Sequence, residues 1–121
     1  MGGASSKLTG RRGELLAAEY LKKQGWRVVG MNFSCRYGEV DVIAENRDFL
    51  VFAEVKARKN ARFAAAREFV TPAKQRRVLL AAQLWLQRNP TEKQPRFDVL
   101  EVYGAEGETP QIIHIENAFG L

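Results

Sequence analysis

Two apolar segments joined by a short turn constrain the fold of this chain more than any other feature. Residues 38–44 (GEVDVIA) and 49–56 (FLVFAEVK) are rich in β-branched and aromatic residues, and the turn-forming sequence Asn-Arg-Asp lies between them. This pattern favours two neighbouring antiparallel strands. If the loop is centred on the turn, Asp41 lies opposite Glu54 on one face of the hairpin.

Two carboxylates therefore point together from strands that are otherwise apolar. Directly opposed residues have Cβ atoms about 4.5–5.5 Å apart, and like charges at that distance repel on a half-buried sheet. A hard divalent cation, Mg²⁺ or Mn²⁺, is the natural partner of such oxygen ligands. Lys56 lies two residues beyond Glu54 on the same face, where it could orient a water molecule or polarise a phosphate oxygen.

A surface ion-pair ladder is the alternative interpretation of the same residues. In that ladder Lys56 pairs with Glu39 across the strands, and the other acids face water. A register slip of one residue would also move every side chain to the opposite face. The residues of the hairpin alone leave these interpretations open.

Two helices are indicated by apolar periodicity and by their end signals. A helix is predicted over residues 13–24, and Gly25 ends it. A second helix begins after Thr71, a good N-cap, with Pro72 at its first position. The Asn-Pro sequence at 89–90 ends that helix.

The helices add three candidate site residues. Glu14 lies on the stripe of the first helix that should face the sheet, where a carboxylate requires a partner. Its alternative is an ordinary first-turn acid that the helix dipole favours. Lys74 and Gln75 stand in the first turn of the second helix, where free N–H groups attract phosphate. Their alternative is a snorkelling lysine beside a glutamine at the rim.

The remaining segments complete a single α/β domain. Residues 26–33, 97–103 and 111–115 read as strands, so that the order is α-β-β-β-α-β-β. This order predicts a mixed central sheet flanked by helices, with a right-handed crossover through the second helix. Residues 1–9 are predicted to be disordered, and residues 10–121 to form the domain.

Basic residues are concentrated in one part of the chain, which carries a net charge of +5. Residues 56–77 hold eight Lys and Arg side chains and one acid, whereas the chain after residue 96 holds five acids and no Lys or Arg. This asymmetry is typical of a face that binds a polyanion, and we expect DNA; a solvated basic loop is the alternative. The residues expected to contact DNA are Arg58, Lys59, Arg62, Arg67, Lys74, Arg76 and Arg77.

Several classes of protein are excluded. The single cysteine, Cys35, and the single histidine, His114, rule out a disulfide framework and a Cys/His zinc cluster; we expect an inert thiol and a packing or surface imidazole. No apolar run approaches a membrane span and no signal peptide is visible, so we expect a cytoplasmic protein. Asp98 is expected to be a structural carboxylate that binds backbone or Arg96, rather than a metal ligand.

Five ordered blocks of sequence carry a family resemblance. The blocks GRRGELLAAEYL, GEVDVIA, EVKAR, VTPAKQRR and RFDVLEV resemble the small bacterial YraN-like family over about residues 10–102. That family looks like a Holliday-junction-resolvase-type member of the PD-(D/E)XK restriction-endonuclease-like superfamily. The resemblance therefore implies a restriction-endonuclease-like fold.

The resemblance also implies roles for individual residues. Asp41, Glu54 and Lys56 match the metal-binding D…E-x-K core, and Glu14 matches the helix-borne acid. Gln75 sits where related nucleases carry a polar active-site residue. Two departures exist, because a valine replaces the proline of the superfamily name and no Q-x-x-x-Y motif follows Gln75.

The expected function is that of a metal-dependent nuclease acting on DNA, with branched or junction DNA as the substrate class that the resemblance suggests. Glu14, Asp41 and Glu54 would hold Mg²⁺ or Mn²⁺, and Lys56 would help to activate the attacking water. A junction resolvase cuts two strands symmetrically, which is compatible with a homodimer. The alternative is a nucleic-acid-binding module of nuclease fold that is not catalytic and acts through a protein partner.

Overall fold

The computed structural model describes residues 11–58, 70–104 and 109–120. The elements are α1 (Gly13–Lys23), β1 (Arg27–Cys35), β2 (Gly38–Glu45), β3 (Phe49–Arg58), α2 (Pro72–Arg88), β4 (Gln94–Tyr103) and β5 (Gln111–Phe119). The predicted element order and α/β class are confirmed. The start that was predicted to be disordered, residues 1–9, lies outside the described residues.

One mixed sheet of five strands organises the fold. Its strands lie side by side in chain order, β1-β2-β3-β4-β5. The β3–β4 pair is parallel, and the other three pairs are antiparallel. Parallel neighbours need a crossover connection, and α2 lies in the connection between β3 and β4.

The hairpin of β2 and β3 has the predicted register. Its backbone partners run from Glu45–Leu50 next to the turn to Val42–Ala53. Asn46 fixes the turn, because its side-chain Oδ1 accepts two backbone N–H groups of the turn at 3.0 and 2.8 Å. The face that each side chain takes is thereby set over the paired residues, 42–45 and 50–53.

The sheet buries a hydrophobic core on each face. On one face of the sheet, α1 packs Ala17 and Leu21 onto Val51 and its neighbours. On the other face, α2 packs Val78 and Ala81 onto the apolar side chains that the sheet presents there. Alternate residues of β3 supply the two cores, since successive side chains of a strand point to opposite faces. Within the described part of the chain, no helix is long and apolar enough to cross a membrane.

The start of α2 is fixed in two ways. Thr71 caps it as predicted, because its Oγ1 accepts the backbone N–H of Lys74 at 3.2 Å. Gly38 at the start of β2 lies directly under α2, and a Cβ there would overlap the backbone carbonyl of Arg77. A glycine is therefore required for this close approach, which holds the first turns of α2 beside β2.

Candidate active site

β2 and β3 separate beside the two acids of the hairpin. Their backbone pairing ends at Val42–Ala53. One residue further along β2, the Asp41 side chain accepts the backbone N–H of Val55 through Oδ2 at 2.8 Å. The pairing thus stops one residue short of the predicted Asp41–Glu54 pair, because a side chain takes a backbone N–H of β3. We call this opening between β2 and β3, with Asp41 and Glu54 at its sides, the fork.

Asp41 is the residue whose electrostatics the fork changes most. Its relative exposure is only 6%, and this burial raises the pKa of Asp41 to about 7. The charge of Glu54 contributes next to the rise, and the charges of Glu14 and Glu39 add to it, whereas the N–H of Val55 lowers the pKa. The charges of Glu54 and Glu14 thus both act on Asp41, and a cation bound beside these acids would relieve that repulsion.

The carboxylate of Glu54 is buried and has different surroundings at its two oxygen atoms. Its relative exposure is 2%. Oε2 lies 2.9 Å from Nζ of Lys74 and 3.6 Å from Nζ of Lys56, while Oε1 is buried and has no hydrogen-bond partner among the described residues. Lys56 thus pairs with Glu54, and not with Glu39 as in the ion-pair ladder. A buried carboxylate oxygen without a partner is costly, so this atom marks a place for a cation or a donor.

Lys56 is held in an environment that weakens its charge. Its side chain is 20% exposed, and this burial lowers the pKa of Lys56. The neighbouring charge of Lys74 lowers that pKa further, and the charge of Glu54 opposes the change. A lysine of lowered pKa can release and accept a proton more readily than a solvent-exposed one.

Glu14 lies where the helical periodicity places it. Ala17, Ala18 and Leu21 of the same stripe are buried, and Glu14 itself is half-buried in the first turn of α1. Over residues 11–58, 70–104 and 109–120, no three Asp, Glu, His or Cys side chains form a group that could hold a metal ion. The three-carboxylate ligand set with Glu14 therefore stays a prediction.

The donors of the fork nevertheless fit Mg²⁺ or Mn²⁺. Both ions prefer carboxylate oxygen, and Mg²⁺ is commonly bound by one or two carboxylates together with water and substrate phosphate. Asp41 and Glu54 provide that number, and the Oε1 atom of Glu54 is free of protein donors in the described structure. Two carboxylates in the fork are thus sufficient for an ion that also binds the substrate.

The candidates on α2 have different surroundings. Nε2 of Gln75 donates a hydrogen bond to the backbone carbonyl of Val70 at 2.9 Å, which ties the residue before the N-cap to the helix. Its predicted catalytic role stays a prediction. Arg76 and Arg77 are exposed on the same turns of α2. A pocket of about 190 Å³ is lined by Glu39, Lys74, Arg77 and Val78.

The predicted DNA-contacting residues divide into two groups. Lys59, Arg62 and Arg67 lie outside the described residues. Arg58 is half-buried at the end of β3, Lys74 binds Glu54, and Arg76 and Arg77 face solvent. Of these four residues, Lys74 contacts the fork directly, and Arg77 lines a pocket with Lys74.

A buried polar cluster away from the fork explains Asp98. The carboxylate of Asp98 accepts hydrogen bonds from Arg96 at 3.0 and 2.8 Å and from the backbone N–H of Asn117 at 3.0 Å. The prediction of a structural carboxylate is consistent with these bonds. The third partner, His114, was not predicted: its Nε2 lies 2.6 Å from Asp98 Oδ2, and its Nδ1 lies 3.2 Å from the Tyr20 hydroxyl. Only the pairing of β4 with β5 and the packing of α1 bring these groups together.

Two features of the site region were missed by the sequence analysis. The contact between Lys74 and Glu54 was not predicted, because it depends on how α2 lies on the sheet. Glu101 is 2% exposed, although its place in β4 carries no sequence signal beyond an acid among apolar residues. A carboxylate at an inward position of a buried strand was the signal that could have identified Glu101.

Comparison with known proteins gives one family. The family model described as "Uncharacterised protein family UPF0102" matches residues 13–102. A UPF0102 protein of Geobacter sulfurreducens is 43% identical over 121 residues, covering 99% of this chain and 94% of the relative. A UPF0102 protein of Rhodococcus jostii is 44% identical over 111 residues, covering 91% of this chain and 94% of the relative. The matched residues include every acid and lysine of the fork.

Proposed function

The chain belongs to the uncharacterised protein family UPF0102, and we propose that it is a metal-dependent nuclease that hydrolyses phosphodiester bonds in DNA. UPF0102 is the YraN family that the sequence blocks resemble. The observation that carries the proposal is the fork, where two buried carboxylates lie beside a lysine of lowered pKa. The relatives' names state no activity, so the proposal depends on the chemistry of these residues.

The fork is difficult to explain as a purely structural feature. Burying two neighbouring carboxylates costs free energy, which apolar residues of similar size would avoid. Clusters of buried groups with shifted pKa values are concentrated at functional sites. Asp41 also interrupts the hairpin by binding a backbone N–H of β3, so the arrangement costs backbone pairing as well. These costs support a role in binding a cation and in catalysis.

Each residue of the fork has a distinct role in the proposed reaction. Asp41 and Glu54 hold the divalent cation, with Glu14 adding negative charge from α1. The bound cation supplies electrostatic stabilisation of the charge that develops on the phosphate. Lys56 lies beside Glu54 and helps to orient and deprotonate the attacking water. Arg76 and Arg77 contact the DNA backbone and position it without reading sequence.

A second candidate function has one observation in its favour. The ammonium of Lys74 already lies 2.9 Å from Glu54, so the acids of the fork are partly neutralised without a metal ion. A nucleic-acid-binding module that acts through a protein partner would need no more than this. The two functions differ in one requirement, because only the nuclease must bind a divalent cation. Calorimetric titration of Mn²⁺ into the purified protein therefore discriminates between them.

The proposed activity is tested by a panel of labelled DNAs. Duplex, flap, single-stranded and four-way-junction DNAs are incubated with the protein in Mg²⁺, in Mn²⁺ and in EDTA. We expect cleavage of at least one substrate with a divalent cation and none in EDTA, with branched DNA as the preferred class. Cleavage that persists in EDTA would rule out the mechanism, and no cleavage of any substrate would favour the binding module.

A further inference from the structure

We propose that Lys74 is a displaceable counter-ion of the fork, whose ammonium neutralises Glu54 when no divalent cation is bound and becomes available to substrate phosphate when a cation binds Glu54. This inference rests on the proposed function, because it requires that the fork binds a divalent cation. Lys74 would thereby couple the binding of the metal ion to the binding of nucleic acid. Lys74 is a positioning residue in this role.

The contacts of Glu54 show which of the two lysines can leave. Nζ of Lys74 is the closer, at 2.9 Å from Oε2, and Nζ of Lys56 lies at 3.6 Å from the same atom. The side chain of Lys74 is 40% exposed, against 20% for Lys56. Lys74 therefore reaches the buried carboxylate from solvent, and it can withdraw to solvent once another cation neutralises Glu54.

The position of Lys74 in α2 makes its contact with Glu54 conditional. Lys74 stands in the first turn of the helix, where the dipole disfavours a cation, and that turn contains no acid. The charge of Glu54 is thus the main local attraction that holds the ammonium in place. Once a divalent cation neutralises Glu54, that attraction is replaced by repulsion between two cations.

The surroundings of Lys74 favour phosphate as its next partner. Lys74 and Arg77 line the same pocket of about 190 Å³. A phosphate at this pocket would meet two cationic side chains, Lys74 and Arg77, near a helix N-terminus once Lys74 is released from Glu54, with the Glu39 carboxylate also in the lining. By linkage, a cation that promotes phosphate binding is itself bound more tightly when phosphate is present.

The first test measures the binding of metal alone. Mn²⁺ is titrated by calorimetry into the wild type and into Lys74→Met, in the absence of DNA. Because the variant lacks the competing ammonium, we expect it to bind Mn²⁺ about tenfold more tightly, the ratio that corresponds to loss of one charge-assisted hydrogen bond. Arg88→Met makes the same change of net charge at the far end of α2 and should keep the wild-type affinity. Equal or weaker Mn²⁺ binding by Lys74→Met overturns the inference.

A second measurement uses the unmutated chain and does not depend on folding of the variant. The ammonium signals of ¹⁵N-labelled lysines are followed by NMR while Mg²⁺ alone is added. We expect the Lys74 signal to change from that of an ion-paired lysine to that of a solvated one as Mg²⁺ saturates the protein, with Lys56 less affected. A Lys74 signal that is unchanged at saturation overturns the inference.

The outcomes separate this inference from the proposed function. If the wild type binds Mn²⁺ with the affinity of Lys74→Met, only the role of Lys74 is refuted. If the wild type binds no cation while Lys74→Met does, the ammonium is not displaced by a cation, and both the inference and the nuclease mechanism are refuted. If neither protein binds Mn²⁺ or Mg²⁺, both the inference and the nuclease mechanism are refuted.

Discussion

Asp41→Asn should stabilise the protein in the absence of metal, and the gain should grow with pH. Asparagine keeps an oxygen that can accept the N–H of Val55, but it removes the charge that burial and Glu54 disfavour. Active-site residues commonly lower the stability of the folded protein. The Asp41→Asn variant therefore measures how much folding stability the Asp41 charge costs, apart from its role in function.

The magnitude follows from the pKa of Asp41. In the wild type this pKa rises from 3.8 to about 7 on folding. Between these values the native state binds more protons than the unfolded state, so the stability of the wild type falls as pH rises through the folded pKa. A rise of about three pKa units corresponds to up to about 4 kcal/mol, of which about 3 kcal/mol is lost between about pH 4.5 and pH 8.

Urea unfolding in EDTA at these two pH values measures the effect. We expect the advantage of Asp41→Asn over the wild type to be about 3 kcal/mol larger at pH 8 than at pH 4.5. Asp48→Asn alters an exposed carboxylate in the turn and serves as the matched control, with the same difference from wild type at both pH values. An advantage of Asp41→Asn that does not change with pH, or a variant less stable than wild type at pH 8, would refute the reasoning.

Further predictions concern packing, the second polar cluster, catalysis and DNA binding. Gly38→Ala would press a Cβ against the Arg77 carbonyl, so urea titration should show a loss of about 1–3 kcal/mol, and unchanged stability would contradict the close packing of α2 on β2. Asp98→Ala removes the two short hydrogen bonds of the Arg96 guanidinium, which is only 12% exposed, and leaves it the exposed Glu116 at 3.8 Å; it should cost about 3–5 kcal/mol in the same assay, and a cost below about 1 kcal/mol would contradict the assigned network. Lys56→Gln should slow single-turnover cleavage by about 10²–10⁴-fold while Mn²⁺ binding is retained, and loss of Mn²⁺ binding would contradict a role beside the ion. Arg76→Ala should weaken binding to all DNAs and reduce the salt slope by about one with little change in the single-turnover rate; an unchanged slope would remove Arg76 from the interface.

The order of elements could be predicted because local signals set it. The turn at Asn46 fixed the register of β2 and β3, and the Thr-Pro start of α2 fixed a helix N-terminus. Strand ends that depend on partners were predicted less well. β4 begins at Gln94, three residues earlier than expected, because its N–H donates to the carbonyl of Asp48 at 2.9 Å and β4 pairs with β3 from that point.

The C-terminal end of β5 was also predicted poorly, because it too depends on a neighbouring strand. The apolar pattern predicts that β5 ends at Ile115, whereas the strand continues to Phe119. A shift of register opposite Phe97 and a positive φ of 52° at Asn117 interrupt the pattern. The buried Asp98 accepts the N–H of Asn117, so a contact between strands, and not the local sequence, sustains the extension.

In the candidate site, too, some contacts follow from local sequence and others do not. The contact of Lys56 with Glu54 could be predicted, since alternation places residues two apart on the same face of β3. Alternation does not hold at Asp41, because its neighbours Val40 and Val42 lie in opposite hydrophobic cores. The interruption of the hairpin by Asp41 and the contact of Lys74 with Glu54 could not be predicted. Both depend on how strands and helix pack in three dimensions, which no local pattern encodes.

Single-turnover cleavage by matched carboxylate variants tests the central claim most directly. The substrate is the DNA that the panel shows to be cut, the cation is Mn²⁺ at saturation, and the proteins are the wild type, Asp41→Asn, Glu54→Gln and the control Asp48→Asn. We predict that the control cleaves at the wild-type rate, and that each fork variant loses cleavage while its metal-free DNA affinity is equal to or tighter than that of the wild type, because removing a carboxylate reduces repulsion of phosphate. Cleavage at the wild-type rate by Asp41→Asn or Glu54→Gln would contradict the claim that the fork is the catalytic centre.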